Sequence, residues 1–528
     1  MIKRKIIEEI SWAKLSIWGA ATILWLYLWK TPIWSIDDLY FATRSENPYG
    51  KFTFHQFLDQ AIYDLGERNG RTADLLGQII FSAGPFVGPI MAIICISFSV
   101  TFYLAIIKFS NIANARHAEL LKNITSLTAV SIPFVIHAYD STIAGSTIFF
   151  MSATVGYVLG GTFLFSVIVL SISLIERNNF SFKMCAFLVV LIPVTSTHHE
   201  NLAVGVIAFF VATLIFYPKV LSNIKFIVLA IYGILVGSLR MLFPGMWARS
   251  SIVGELLPAS EASFVKRHTV YVIRMLEEDI VDTPAFYVLL VLAFFVYLKY
   301  GVTKICMKKK KMLIGGYVTA VILLFGLSWK LSSMSYFARS GTEGILSVYS
   351  SVTALAFMFT ALALLFFMLV IFLVERNSAK NASCAIAFVT ALGLFVIPAY
   401  MGISQGRPVF NGYSAILLVS LILVFNSFDD VINLLKLVPL LVISGLVAPV
   451  VSSAPNFVDN MTKNMNAWGA VNDQISKVRS NDLDTVLFPK DLPVPSFSTN
   501  YAGSREESTG DRLRLYYGLP ENTVFKWS

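Results

Sequence analysis

The chain has 528 residues, of which 56% are hydrophobic and only 14% charged, with a mean hydropathy of +0.70. That balance excludes a soluble globular domain, because apolar runs of about 20 residues recur at the length a bilayer-spanning helix needs. The formal charge of +9 does not point to nucleic acid, since many basic residues fall in short loops between apolar runs, where they set membrane orientation.

The expected fold is an all-α polytopic membrane protein with about thirteen transmembrane helices. A basic opening, Lys3-Arg4-Lys5, leads into a long apolar stretch. Trp and Lys follow it where signal-peptide cleavage would need small residues, so the segment is read as a retained first span with a cytoplasmic N-terminus. Spans are placed at 13–34, 85–107, 124–138, 150–175, 183–197, 201–217, 224–244, 284–304, 312–331, 347–374, 384–403, 409–426 and 436–452. A short re-entrant or surface piece is expected at 141–149.

The inner loops of this scheme carry Lys108, Arg116 and Lys122; Arg177 and Lys183; Lys219 and Lys225; Lys304 with the basic run 308–311; Arg376 and Lys380; and Lys436. All agree with the positive-inside rule. The first 452 residues form the membrane domain, and an odd span count places 453–528 outside as a small extracytoplasmic region. That region contains FPKDLPVPSF and is expected to be partly ordered around YYGL, 516–519. Cys95, Cys185, Cys306 and Cys384 have no zinc-ligand spacing and are expected to form no disulfides. The absence of an internal sequence repeat weakens an inverted-repeat transporter architecture.

The first outer loop, 35–84, contains FHQFLDQAIYDLGERNG. Phe54, Phe57, Leu58, Ala61, Ile62 and Leu65 share one helical face, which predicts an amphipathic helix over 54–67. Such a helix lies flat in the headgroup layer or packs on protein. A second candidate, 261–279, falls in the outer loop 245–283.

The conspicuous polar groups share this outer face. They are Asp37 and Asp38, NGR at 69–71, His137 and Asp140, THHEN at 197–201, Arg240, Arg249, SYFARSGTEG at 335–344 and SQGRP at 404–408. An ion pathway would place charges at several depths, whereas these form one layer. A surface carboxylate can deprotonate an acceptor hydroxyl attacking an anomeric carbon, or hold a divalent cation. Guanidinium groups clamp phosphate bidentately and keep their charge. Asp37 and Asp38 are therefore the candidate catalytic residues, and Arg71, Arg240, Arg249, Arg339 and Arg407 the candidate phosphate clamps. His199, Glu200 and Asn201 are candidates for substrate or acceptor binding. Consecutive His198, His199 and Glu200 suit a metal poorly, because ligands on a helix favour i, i+4 spacing.

A first span followed by an acidic pair, a surface helix and an outward polar face resembles the GT-C superfamily of integral membrane glycosyltransferases. More narrowly, DDLY at 37–40, NGR at 69–71, HEN at 199–201, GRPVFNGYSAILL at 406–418, AWGAVNDQI at 467–475 and LRLYYGL at 513–519 resemble a family of largely uncharacterised bacterial polytopic proteins of GT-C-like architecture. The resemblance implies a polyprenyl-phosphate-linked sugar donor and an envelope glycan, lipid or protein acceptor at the outer face of the cytoplasmic membrane. It also implies a first-loop carboxylate, Asp37 with Asp38 as the fallback, acting as general base or metal contact. No second acidic motif of the oligosaccharyltransferase kind is present. The competing readings are a transporter or flippase, for which Gly160–Gly161 and Pro193 are the hints, and a non-catalytic envelope scaffold.

Overall fold

The computed structural model describes residues 12–68, 70–110, 118–139, 143, 147–148, 150–177, 181–245, 379–401, 407–427, 437–488 and 506–527. The expected spans at 284–304, 312–331 and 347–374, the helix 261–279, and Arg249 and Arg339 lie outside the described residues. The described residues are mostly helical.

Helix α1, Trp12–Leu28, ends six residues short of the expected boundary at 34. Pro32 explains the early stop: it lacks an N–H and drives the residue before it out of the helical region. The exposed first loop of the sequence reading is itself helical, with α2 at Ile36–Ala42, α3 at Phe54–Tyr63 continued by a π turn Asp64–Arg68, and α4 at Thr72–Phe81. Two of these start on reciprocal capping boxes, Ser35 with Asp38 and Thr53 with Gln56, which satisfy otherwise orphaned amides.

The bundle continues through α5, Val87–Ser110, and α6, Ala118–Tyr139. A π turn at Thr154–Leu159 then opens α7, Gly160–Arg177. Helices α8, Phe182–His198, and α9, Glu200–Phe216, meet at an extended His199 (φ −152°) and are followed by α10, Ile224–Arg240. After the undescribed stretch come α11, Ala379–Met401, and α12, Phe410–Ser427. Phe98 and Phe102 of α5, Phe165 of α7 and Phe410 of α12 interlock with ring centroids 5.5–6.2 Å apart and tie three helices together. At the opposite end from the polar loops, Lys108 and Glu176 pair at 2.5 Å, joining the C-termini of α5 and α7.

Among the described residues, two stretches are long and apolar enough to cross a membrane, Gly84–Ser110 and Met151–Glu176; several other apolar helices are shorter. The thirteen-span count is not established by these lengths. The helices nonetheless expose large apolar side chains outward, including Ile93, Phe187, Val190, Val228, Leu235 and Val396.

The largest departure from the sequence reading is at the C-terminal side. The span expected to stop at 452 runs on as α13, Leu437–Arg479, a 43-residue helix about 65 Å long at 1.5 Å per residue. It leads to a parallel two-stranded sheet, β1 (Thr485–Phe488) with β2 (Val524–Trp527), and to α14, Glu506–Tyr517. This region docks on the first loop. Tyr516 packs against Trp34 (4.7 Å) and Tyr49 (5.6 Å), and its hydroxyl donates to the Phe81 carbonyl at 3.0 Å. Arg512 donates to Thr43 at 2.9 Å, and Arg479 reaches the Tyr49 hydroxyl.

Candidate functional site

Three chain segments meet in a buried ionic cluster. Glu200 occupies the first turn of α9, where a negative charge complements the helix dipole, and Arg240 the last turn of α10, where a positive one does. Arg71 immediately precedes α4. Its Nε donates to both Glu200 oxygens (2.9 and 3.0 Å) and its Nη2 lies 2.8 Å from Oε2. Arg240 Nη2 donates to Oε1 at 3.1 Å. His199 Nδ1 lies 3.0 Å from Oε2, and the His199 ring packs 4.5 Å from Tyr157. All four charged or titratable residues are buried.

Gly70 lets this cluster close. Its φ of +63° is a left-handed conformation, and a β-carbon there would lie 2.9 Å from Arg240 Nη1. The Gly70 amide donates to the Asp64 carbonyl at 2.6 Å, which turns the chain so that Arg71 faces Glu200. Gly70 and Arg71 are thus a left-handed turn residue followed by a guanidinium held on Glu200.

His198 extends the cluster towards α7. Its Nε2 donates to the Val155 carbonyl at 2.8 Å within the π turn. The same turn region receives Asp38, whose Oδ1 accepts the Ser152 amide at 2.7 Å while Oδ2 accepts the Ser35 amide at 3.0 Å. Asp38 is wholly buried, and that burial pushes its carboxyl up to about 6 although the Ser152 and Ser35 amides pull it down. Asn201 donates to the Pro408 carbonyl at 3.1 Å and so brings the turn Arg407–Val409 to the same end of the bundle.

The predicted site residues therefore fall into groups. Arg71, His199, Glu200 and Arg240 touch directly, and Asn201 binds the turn that contains Arg407. Asp38 joins through the 151–159 segment, with each carboxylate oxygen engaged by a backbone amide, which makes it a cross-link between α2 and that segment. Asp37 lies one position earlier on α2. The sequence reading missed Ser152 and Tyr157 as members of this neighbourhood; His198 stood in the THHEN motif but was not among the binding candidates. Ser35-x-x-Asp38 was the available signal for the capping role of Asp38.

A divalent cation does not fit these carboxylates. The Glu200 oxygens are taken by guanidinium groups and those of Asp38 by amides, and no group of three or more His, Cys, Asp or Glu side chains able to hold a metal occurs among the described residues. A surface pocket lined by Val478, Asp482, Asp484 and Thr523 lies in the C-terminal region and contains none of the predicted site residues.

The Gly pair at 160–161 has a packing role. A β-carbon on Gly160 would lie 2.6 Å from Leu202 Cδ1, and one on Gly161 would lie 2.6 Å from Asn411 Oδ1. Close helix approach is what both glycines allow.

No family model, no curated protein and no solved structure matches this chain. The GT-C likeness rests on the motifs quoted above.

Proposed function

We propose that this protein is a multi-pass glycosyltransferase of the cytoplasmic membrane. It moves a sugar from a polyprenyl-phosphate-linked donor to an envelope glycan, lipid or protein on the outer face. The observation that carries this reading is the gathering of polar segments at one end of the bundle. The first loop, the His198–Asn201 junction, Arg240, the turn at 407–409 and the C-terminal region are linked there by direct contacts. Outward apolar side chains support a lipid surround. Docking of the C-terminal region on the first loop supports an even number of crossings between them, and so an outside C-terminal region with an inside N-terminus.

In this reading Arg71 and Arg240, gathered on Glu200, supply guanidinium groups for the donor phosphate in a poorly screened site. Arg249, Arg339 and Arg407 are the other guanidinium candidates of this reading. Because both Asp38 oxygens hold backbone amides, the base that takes the acceptor proton is Asp37, with Asp38 positioning its helix. The acceptor oxygen forms the new glycosidic bond as the bond from the anomeric carbon to the phosphate oxygen breaks. The electron pair leaves with the polyprenyl phosphate.

The test is transfer of labelled sugar from polyprenyl-phosphate donors by purified protein. Asp37→Asn should lower the rate by roughly 10²–10⁴-fold, the usual contribution of a general base. Full activity in that variant removes Asp37 from the mechanism. No transfer from any such donor by the wild-type protein removes the glycosyltransferase reading.

A further inference from the structure

A second basic group stands apart from the Glu200 cluster, and the function proposed above does not use it. Arg44, Arg68 and Arg512 converge on the ring of Tyr40, with guanidinium carbons 5.2, 4.9 and 4.7 Å from its centroid. They come from α2's trailing turn, the π turn after α3, and α14. The carboxylate bonded within this group is Asp64, which is buried and accepts from Arg44 Nη1 at 2.7 Å and from Gln60 at 3.1 Å. Arg68 Nη1 lies 3.9 Å from Asp64, beyond hydrogen-bond reach. Asp74 acts on Asp64 from α4, and Glu67 is exposed on the same turn. Asp511, beside Arg512, is paired with Arg514 at 2.5 Å.

Three like charges packed on one ring repel, and one buried carboxylate compensates one of them. Arg44 Nη2 and Arg68 Nη1 are buried without a hydrogen-bond partner. Tyr40 keeps 37% of its surface exposed, and Arg68 and Arg512 are half-buried, so the group has an open side. Beside it, α3 presents Phe54 (81% exposed), Leu58, Ile62 and Tyr63 outward and buries none of its residues. An apolar helix face next to unsatisfied guanidinium groups matches the two halves of a lipid: acyl chain beside phosphate.

We propose that Arg68 and Arg512, backed by Arg44 and Tyr40, bind the phosphate of an anionic membrane lipid whose chains lie along the outward face of α3. The site would also latch the C-terminal region to the first loop, since Arg512 comes from one and Arg68 from the other. This inference rests on the membrane placement proposed above but not on the sugar-transfer chemistry.

The test uses the full-length protein, first reconstituted into vesicles and then held in neutral micelles. The micelle samples are titrated with short-chain phosphatidylglycerol, short-chain phosphatidylcholine or inorganic phosphate, and the thermal unfolding midpoint is read. Phosphatidylglycerol should raise the midpoint saturably, with phosphatidylcholine without effect and inorganic phosphate much weaker. Arg68→Gln should weaken the apparent affinity roughly tenfold, the scale of one lost charge-assisted hydrogen bond, and Arg68→Gln with Arg512→Gln should abolish the shift. Arg68→Gln alone keeps the test decisive if Arg512→Gln fails to fold. Equal shifts from both lipids, an unchanged affinity in Arg68→Gln, or inorganic phosphate as potent as the lipid would each overturn the proposal. Failure of the wild-type protein to enter vesicles would instead sink the membrane placement.

Discussion

Replacing Glu200 with Gln removes the carboxylate that bonds both Arg71 and Arg240. The substitution preserves volume and one acceptor oxygen but takes from two guanidinium groups the carboxylate they share, in a place where all three side chains are at most 9% exposed. Water and salt screen such a site poorly. Breaking a buried pair by removing one partner costs about 3–5 kcal/mol, and the retained amide oxygen places Glu200→Gln at about 3 kcal/mol. Arg240→Met should cost less, because it leaves the one-to-one Arg71–Glu200 pair intact with its contacts of 2.8–3.0 Å. Denaturant titrations of both single variants and the double variant, in one neutral detergent, give the coupling. A coupling above about 1 kcal/mol is expected for directly bonded partners. Wild-type stability in Glu200→Gln, or strict additivity in the cycle, would refute the cluster as a load shared by the three residues.

Two further predictions concern the first loop. The Asp38 carboxyl is raised by burial from 3.8 to about 6, so between those values the folded chain holds a proton the unfolded chain has lost. Its contribution is thus fully present below about pH 4 and lost as pH rises through 6, a span of about 3 kcal/mol at most. The difference in unfolding midpoint between wild type and Asp38→Asn, followed across that range, should carry this slope, and a flat difference would rule it out. Gly70→Ala forces a left-handed residue at a strain of about 1–2 kcal/mol and also displaces Arg240. Gly84→Ala, with φ of +59° and its nearest contact at 3.7 Å, carries the strain alone, so the larger loss should fall on Gly70→Ala.

Helix ends were readable wherever a local cause exists. The spans at 183–197 and 201–217 differ by one residue at each end from α8 and α9, because His199 breaks an otherwise continuous apolar pattern. The overrun of α1 came from weighing hydropathy above Pro32. Arg71, His199 and Glu200 stood in short motifs and Arg240 was singled out alone, but the pairing of Arg71 with Glu200 spans 129 residues and leaves no periodicity to read. Arg44, Arg68 and Arg512 were missed for the same reason, since isolated arginines in polar loops look alike until the chain folds. The continuation of α13 past 452 was hidden by its polar composition. Helix propensity there is carried by Ala, Met, Lys, Gln and Arg rather than by an apolar run.

The bond from Tyr516 to Phe81 also sets a clock on biogenesis. Its partners are 435 residues apart, which is roughly 20–90 s of synthesis at about 5–20 residues per second. Throughout that interval Trp34, Tyr49 and the end of α4 lack their aromatic cover, so the nascent first loop is a natural client for a chaperone or insertase.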